Sequence, residues 1–164
     1  MKSCRRVFII HVYSSKTNDE GYLRVIARVA TSGLLLSYGI RKRTCICIET
    51  PKLSFVILGS RIRRLYSDDS SSTGIIRRVI QGEPHAGIRF LSSCSELNCK
   101  VKFNAVEFMN SLDTLDLESV SYPLCLDIRI TQDGDRYIVE GLGLEPWYVV
   151  TILNITLDNL GIDT

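Results

Sequence analysis

Apolar and polar positions change their period several times along the chain, and each change predicts an element. Arg5–Ser15 holds a mostly apolar run, Val7–Tyr13, with β-branched residues, the pattern of a buried strand. Lys16–Gly21 is polar and reads as a loop and helix start. From Tyr22 to Gly39 the period lengthens to that of a helix. Leu23, Ile26, Ala30 and Leu34 share one stripe, while Arg24 and Arg28, four residues apart, share another face. Gly39 stands where the C′ residue of that helix belongs.

The period shortens again in Thr44–Glu49 and Leu53–Gly59, which read as two strands, and a helix follows over Thr73–Ile80, ending near Gly82. His85–Ser92 is a further short strand. Cys94–Ser121 carries the weakest pattern, although Val101–Phe108 alternates well enough for a strand. Leu124–Ile130 and Arg136–Glu140 read as two strands about the turn Thr131–Asp135. The last element is the clearest: Glu145–Gly161 has Pro146 at its start and Gly161 at its stop. It is apolar almost all round, so it should be buried or form a dimer. Strands alternating with helices predict an α/β fold with a largely parallel sheet flanked by helices. No repeat or linker divides the chain, so residues 1–164 form a single domain.

Composition sharpens this only in part. With 45% hydrophobic and 23% charged residues the chain matches soluble globular proteins, and no apolar run reaches the roughly 18 residues of a membrane span. The net charge of +2 gives no global attraction to polyanions, so any such attraction must come from clustering. One cluster stands out: Arg61, Arg63 and Arg64 precede an Asp-Ser run, and Arg77 and Arg78 follow it. Arginine suits phosphate, because its planar fork engages two oxygens at once. The adjacent Asp68 and Asp69 read as helix-start residues, with a serine of the following run as the cap. The six cysteines follow no secretory pattern, so a cytoplasmic location with free thiols is expected, and a Cys94–Cys99 disulfide is not. Cys45 and Cys47 alternate on one strand face, but no second pair completes a zinc site and no metal is expected.

Familiar catalytic motifs are missing. The chain has no P-loop, no GxGxxG and no GxSxG, and His11 and His85 are far apart in sequence. His11 reads as a core or edge residue, and His85 as solvated.

Several stretches taken together resemble the archaeal tRNA pseudouridine N1-methyltransferases of the SPOUT, or α/β-knot, superfamily. That family has a Leu-Ser-His-x-Ile-Arg-Arg segment, then Gly-Ser-Glu-Ile-Arg-Arg-Leu-x-Pro-Asp-Glu-Arg-Ser. A Pro-Gly-Ile strand, a glycine-rich cofactor loop and a terminal helix with Asn-x-Leu-Asp follow. Here the first segment is Leu36-Ser37-Tyr38-Gly39-Ile40-Arg41-Lys42. The second is Gly59-Ser60-Arg61-Ile62-Arg63-Arg64-Leu65-Tyr66-Ser67-Asp68-Asp69-Ser70-Ser71, and Ala86-Gly87-Ile88 and Val149–Gly161 follow in order. The resemblance implies a parallel sheet with a C-terminal trefoil knot over about residues 121–164. It also implies S-adenosylmethionine as cofactor, tRNA or another RNA as methyl acceptor, and a homodimer through the last helix. The cofactor would meet Val139, Gly141, Leu142, Gly143, Leu144 and Val149. RNA would meet Arg28, Arg63, Arg64 and Arg77, with Arg61 at the surface.

The chain departs from the family in two places. Pro123 leads into Leu124–Ile130 with no glycine where the family has its first cofactor loop. Tyr22 and Arg24 stand where the family has an Arg and an Asp near the substrate, which removes a candidate proton acceptor for N1 methylation. Two readings therefore follow: an RNA methyltransferase, or a degenerate dimer of the same fold that binds RNA or serves assembly.

Overall fold

The computed structural model describes residues 3–13 and 19–162; the polar stretch read as a loop at 16–18, and Ser14 and Ser15, lie outside them. In chain order the elements are β1 (Arg6–Val12), α1 (Glu20–Leu34), β2 (Leu35–Leu36), β3 (Gly39–Ile40), β4 (Thr44–Glu49), β5 (Ser54–Leu58) and α2 (Asp69–Ile80). They continue with β6 (Ile88–Leu91), β7 (Val101–Asn104), α3 (Ala105–Asn110), β8 (Leu124–Asp133), β9 (Arg136–Val139) and α4 (Pro146–Asn159). The main sheet runs β6-β5-β4-β1-β8-β7, with β9 paired to β8. β1 is parallel to β4 and β8, and β8 to β7; the β4–β5, β5–β6 and β8–β9 pairs are antiparallel. The centre of the sheet is thus parallel, as the alternation of strands and helices predicts. No helix among the described residues is long and apolar enough to cross a membrane.

Side-chain alternation divides the core. Phe8, Ile10 and Val12 of β1 join Leu126, Ile128 and Ile130 of β8 beneath all four helices. The α1 stripe Leu23, Ile26, Ala30 and Leu34 is buried there, as the helical period predicts. On the opposite face Val7 and Ile9 meet Cys45, Cys47, Val56 and Cys125. Among the described residues that face carries no α-helix; the segment before β1 and the 3-10 turn Cys94–Leu97 cover it.

The cysteines correct the expectation of free thiols. Cys4–Cys45, Cys47–Cys94 and Cys99–Cys125 are disulfides, with Cα separations of 5.7, 6.1 and 5.8 Å, and no cysteine is free. Cys45 and Cys47 do share a face, and their partners arrive on the two segments laid over it.

Local chemistry explains the other differences. α1 ends at Leu34 because Leu35 turns to extended backbone (φ −80°, ψ 140°) and pairs with Ile40, so Gly39 belongs to a small hairpin rather than to a helix cap. α2 starts at Asp69, earlier than Thr73, because the Asp68 carboxylate accepts the Ser71 N–H at 2.8 Å; the cap is Asp68, not a serine. The Val101–Phe108 strand stops at Asn104, whose side chain accepts the Val106 N–H and begins α3.

One buried polar knot fixes α4. Arg6, fully buried, donates to Asn154 Oδ1 at 2.7 Å, to Asp158 Oδ1 at 3.0 Å and to the Ile162 carbonyl. Asn154 donates to the Ser32 and Gly33 carbonyls, and Arg41 donates twice to Asp158 at 2.9 and 2.8 Å. A buried guanidinium is tolerated only when paired and hydrogen-bonded. This set therefore ties the start of β1, the end of α1 and the β3–β4 connection to one turn of α4.

Candidate functional site

The two arginine-bearing segments of the sequence meet in space at the amino end of the parallel strands. Gly59 is the reason. A Cβ there would collide with the carbonyls of Arg41 and Thr44, and its own N–H donates to Thr44 O at 3.0 Å. Ile40–Thr44 and Gly59–Tyr66 therefore lie side by side, and neither stretch contains an acidic residue. β5 ends at Leu58, so Arg61–Arg64 form a turn and not the extension of a strand with its side chains on opposite sides. Arg64 takes a left-handed backbone (φ 59°). Arg61, Arg63 and Arg64 are exposed, while Ile62 and Leu65 between them are buried and pin the turn. The result is a ridge of guanidinium groups on a rigid backbone.

Arg28 and Arg77 lie elsewhere, across the α1–α2 contact. Arg28 donates to both oxygens of Asp69, at 3.2 and 2.8 Å, and its guanidinium lies over the Trp147 ring, 4.9 Å from the centroid. The hydrogen bond from Arg28 holds the Asp69 carboxyl below its ordinary range, and the same bond raises Arg28. Arg77 donates to Glu20 at 2.6 Å. These two arginines are thus engaged in ion pairs, as is Arg41 of the ridge with Asp158, whereas Arg61, Arg63 and Arg64 pair with no carboxylate among the described residues. The Arg28 and Arg77 pairs are partly exposed, so each contributes little stability on its own.

The glycine turn sits between β9 and α4. Val139 accepts the N–H groups of Leu142 (3.1 Å) and Gly143 (3.0 Å) and donates to the Leu144 carbonyl at 2.8 Å. Gly141 (φ 88°) and Gly143 (φ 66°) adopt backbone that side chains disfavour. The N–H groups of Gly141 and Leu144 and the carbonyls of Glu140, Leu142 and Gly143 take no part in these bonds, so the turn retains backbone donors and acceptors of the kind that read an adenine edge. Val139 and Val149 are buried beneath it and shape the turn from below. A cavity of about 200 Å³ lies between α1, the β8–β9 bend and the start of α4, walled by Arg24, Arg28, Asp135, Arg136, Glu145 and Trp147; none of Val139, Gly141, Leu142, Gly143, Leu144 and Val149 lines it. That is below the roughly 300–1,000 Å³ of clefts that enclose a drug-sized ligand. In place of the family's first glycine loop, β8 continues to Asp133 and folds back as β9, with Gly134 at the bend (φ 60°).

A cluster that sequence reading passed over lies at the other end of the strands. His11 Nδ1 is 3.0 Å from Glu49 Oε2, and Nε2 is 3.0 Å from Asp127 Oδ1; Lys102 reaches Asp127 Oδ2 at 3.1 Å. Burial alone would raise the Glu49 carboxyl, but the Ser93 hydroxyl, the Cys94 N–H and His11 outweigh it and hold it low. Only the register of β1 against β4 and β8 brings these groups together, and period-2 patterning carries no trace of it. Among the described residues no group of His, Cys, Asp or Glu could hold a metal ion.

Fold and site define a mixed α/β protein with a basic ridge at one end of a central parallel sheet and a glycine turn before its last helix. No family model matches the chain. It is 32% identical over 78 residues to a tRNA (pseudouridine(54)-N(1))-methyltransferase of Methanopyrus kandleri. That match covers 42% of this chain and 38% of the relative, so the chain spans well under half the length of the protein it matches. The likeness relates the chain distantly to a tRNA methyltransferase. The motif residues behind the resemblance have structural partners: Arg28 meets Asp69, and Arg41 meets Asp158 of the terminal helix.

Proposed function

We propose that this chain is an RNA methyltransferase of the α/β-knot class, binding a structured RNA, tRNA foremost, and taking its methyl group from S-adenosylmethionine. The observation that carries the reading is the ridge: two separated basic segments joined through Gly59, with three exposed arginines and no carboxylate in either segment. Phosphate contacts there would position the RNA without reading its sequence. The backbone of Gly141–Leu144 would hold the cofactor, whose sulfonium methyl is the group transferred. Arg28, fixed by Asp69 over Trp147, would orient the acceptor beside the turn, so that positioning supplies most of the catalysis. Hydrogen bonds from its own backbone N–H and from Arg136 hold the Glu145 carboxyl in the cavity wall below its ordinary range, so it is a weak proton acceptor and the acceptor's proton would pass to water. α4 presents Tyr148 and Ile155, about half exposed, with Thr151 between them, an outward stripe suited to pairing with a second copy.

Calorimetric titration with S-adenosylmethionine and its demethylated product tests the reading. Micromolar binding, lost in Gly143→Val because that backbone disfavours a branched side chain, is the expected result. The second reading, an RNA-binding dimer without transfer, draws on the β8–β9 hairpin that replaces the first glycine loop. It predicts no cofactor binding up to millimolar ligand while RNA binding persists.

A further inference from the structure

We propose that the cleft between the segment before β1 and the Glu96–Lys100 loop receives one unstacked nucleotide of a single-stranded RNA segment, its base on the Arg5–Tyr122 stack and its phosphate at Lys100. The proposal rests on the RNA-binding reading above and adds a second contact that no resemblance assigns.

The cleft measures about 650 Å³, within the range that encloses a nucleotide-sized ligand. The Arg5 guanidinium lies 4.1 Å from the centre of the Tyr122 ring, and guanidinium and aromatic planes are the surfaces on which splayed RNA bases stack. Lys100 is exposed at the rim, and Asn98, exposed and in a left-handed turn (φ 51°), offers an amide donor and acceptor to a base edge. Among the described residues the one carboxylate in the wall is Glu96, which accepts the Ser92 N–H at 2.8 Å and is tied back on its own loop.

Two features commit the occupant to a strand. The segment that walls the cleft adjoins the ridge: the Arg5 N–H donates to Arg43 O at 2.8 Å, and the Ser3 and Ser60 hydroxyls are 3.3 Å apart. A strand held on Arg61–Arg64 would have only that contact to cross to reach it. The walls are also set before any ligand arrives, because Cys4–Cys45 pins one and Cys99–Cys125 the other, which lowers the ordering cost of binding.

The test is fluorescence anisotropy with a labelled 12-nucleotide single strand and the corresponding duplex, over a range of salt. Tyr122→Leu is expected to weaken single-strand binding about tenfold with an unchanged salt slope, and to leave duplex binding as it was. Tyr122→Phe should bind as the native protein does, which separates stacking from a folding defect. Lys100→Gln should reduce the salt slope by about 0.7. If Tyr122→Leu binds the single strand like the native protein while Arg63→Ala/Arg64→Ala loses it, the cleft proposal fails and the ridge reading stands. If the cleft variants lose binding and the ridge variant does not, the proposal stands and the ridge reading fails. No binding of either RNA by the native protein overturns both. Displacement of the strand by equimolar AMP would replace the strand with a free nucleotide and overturn the proposal.

Discussion

On one face of the sheet, Phe8, Ile10, Leu126 and Ile128 lie under α1, α2, α3 and α4, and side chains alone exclude water. On the other, Val7, Ile9 and Val56 lie under two short segments that bury far fewer apolar groups, and disulfides hold those segments in place. A layer too thin to stay down by packing is kept down covalently. The faces also differ in what they can present. The helical face is packed tightly enough that a Cβ on Gly33 would collide with Ile46, whereas the cysteine face leaves a cleft and a polar cluster open at its two ends.

Reducing the three disulfides should separate the faces with the largest effect. Sequence separations of 41, 47 and 26 residues correspond to about 3–4 kcal/mol per bridge in the chain-entropy model. Calorimetry should show Tm falling by roughly 10 °C for each bridge lost. Hydrogen exchange should then rise first in the 92–100 segment while α1 and α4 stay protected; uniform loss of protection would show instead that the faces unfold as one unit. Next in size is Asp158→Ala, which removes a partner from the buried Arg6 and should cost about 3 kcal/mol by denaturant titration. The same residue sets a pH dependence. Burial would raise the Asp158 carboxyl, but hydrogen bonds from Arg41 and Arg6 outweigh it and hold it low. Its contribution is therefore complete above the unfolded value of about 3.9 and is lost as pH falls through the lower folded value, a loss that the Ala variant should not show.

Smaller effects probe the ridge and the α1–α2 contact. Gly59→Ala forces Arg41–Thr44 away from the arginine turn, so RNA affinity should fall about as far as in Arg63→Ala/Arg64→Ala, with intact arginines. Retained affinity would show that the two segments act separately. Arg28→Ala should be smallest in stability, under about 1 kcal/mol, since its pair with Asp69 is open to solvent.

What the sequence made legible was periodic. The α1 stripe, the β8–β9 hairpin, and the Pro146 and Gly161 boundaries of α4 all follow from local pattern and turn chemistry. What it hid depends on partners distant in the chain. Cys47 gives no sign that it pairs with Cys94, because cysteine count fixes no connectivity. The pair of Arg28, expected to meet RNA, with Asp69 on another helix is invisible to spacing, and the partners Glu49 and Asp127 of His11, read as a core or edge residue, reach it only through strand register. The ridge was half legible: the run of arginines is plain, but the approach of Arg41–Thr44 is encoded by a single glycine.

Trp147 is the only tryptophan of the chain, and it sits in the first turn of α4 under the Arg28 guanidinium, just past the glycine turn. Intrinsic emission excited in the red edge of the indole band therefore comes from one known position. A ligand settling on Gly141–Leu144 would change its intensity or wavelength, whereas a strand confined to the arginine ridge and the cleft would leave it dark to the event. The molecule carries a built-in optical probe that tells occupancy of the turn from occupancy of the ridge, without a label and in a single cuvette.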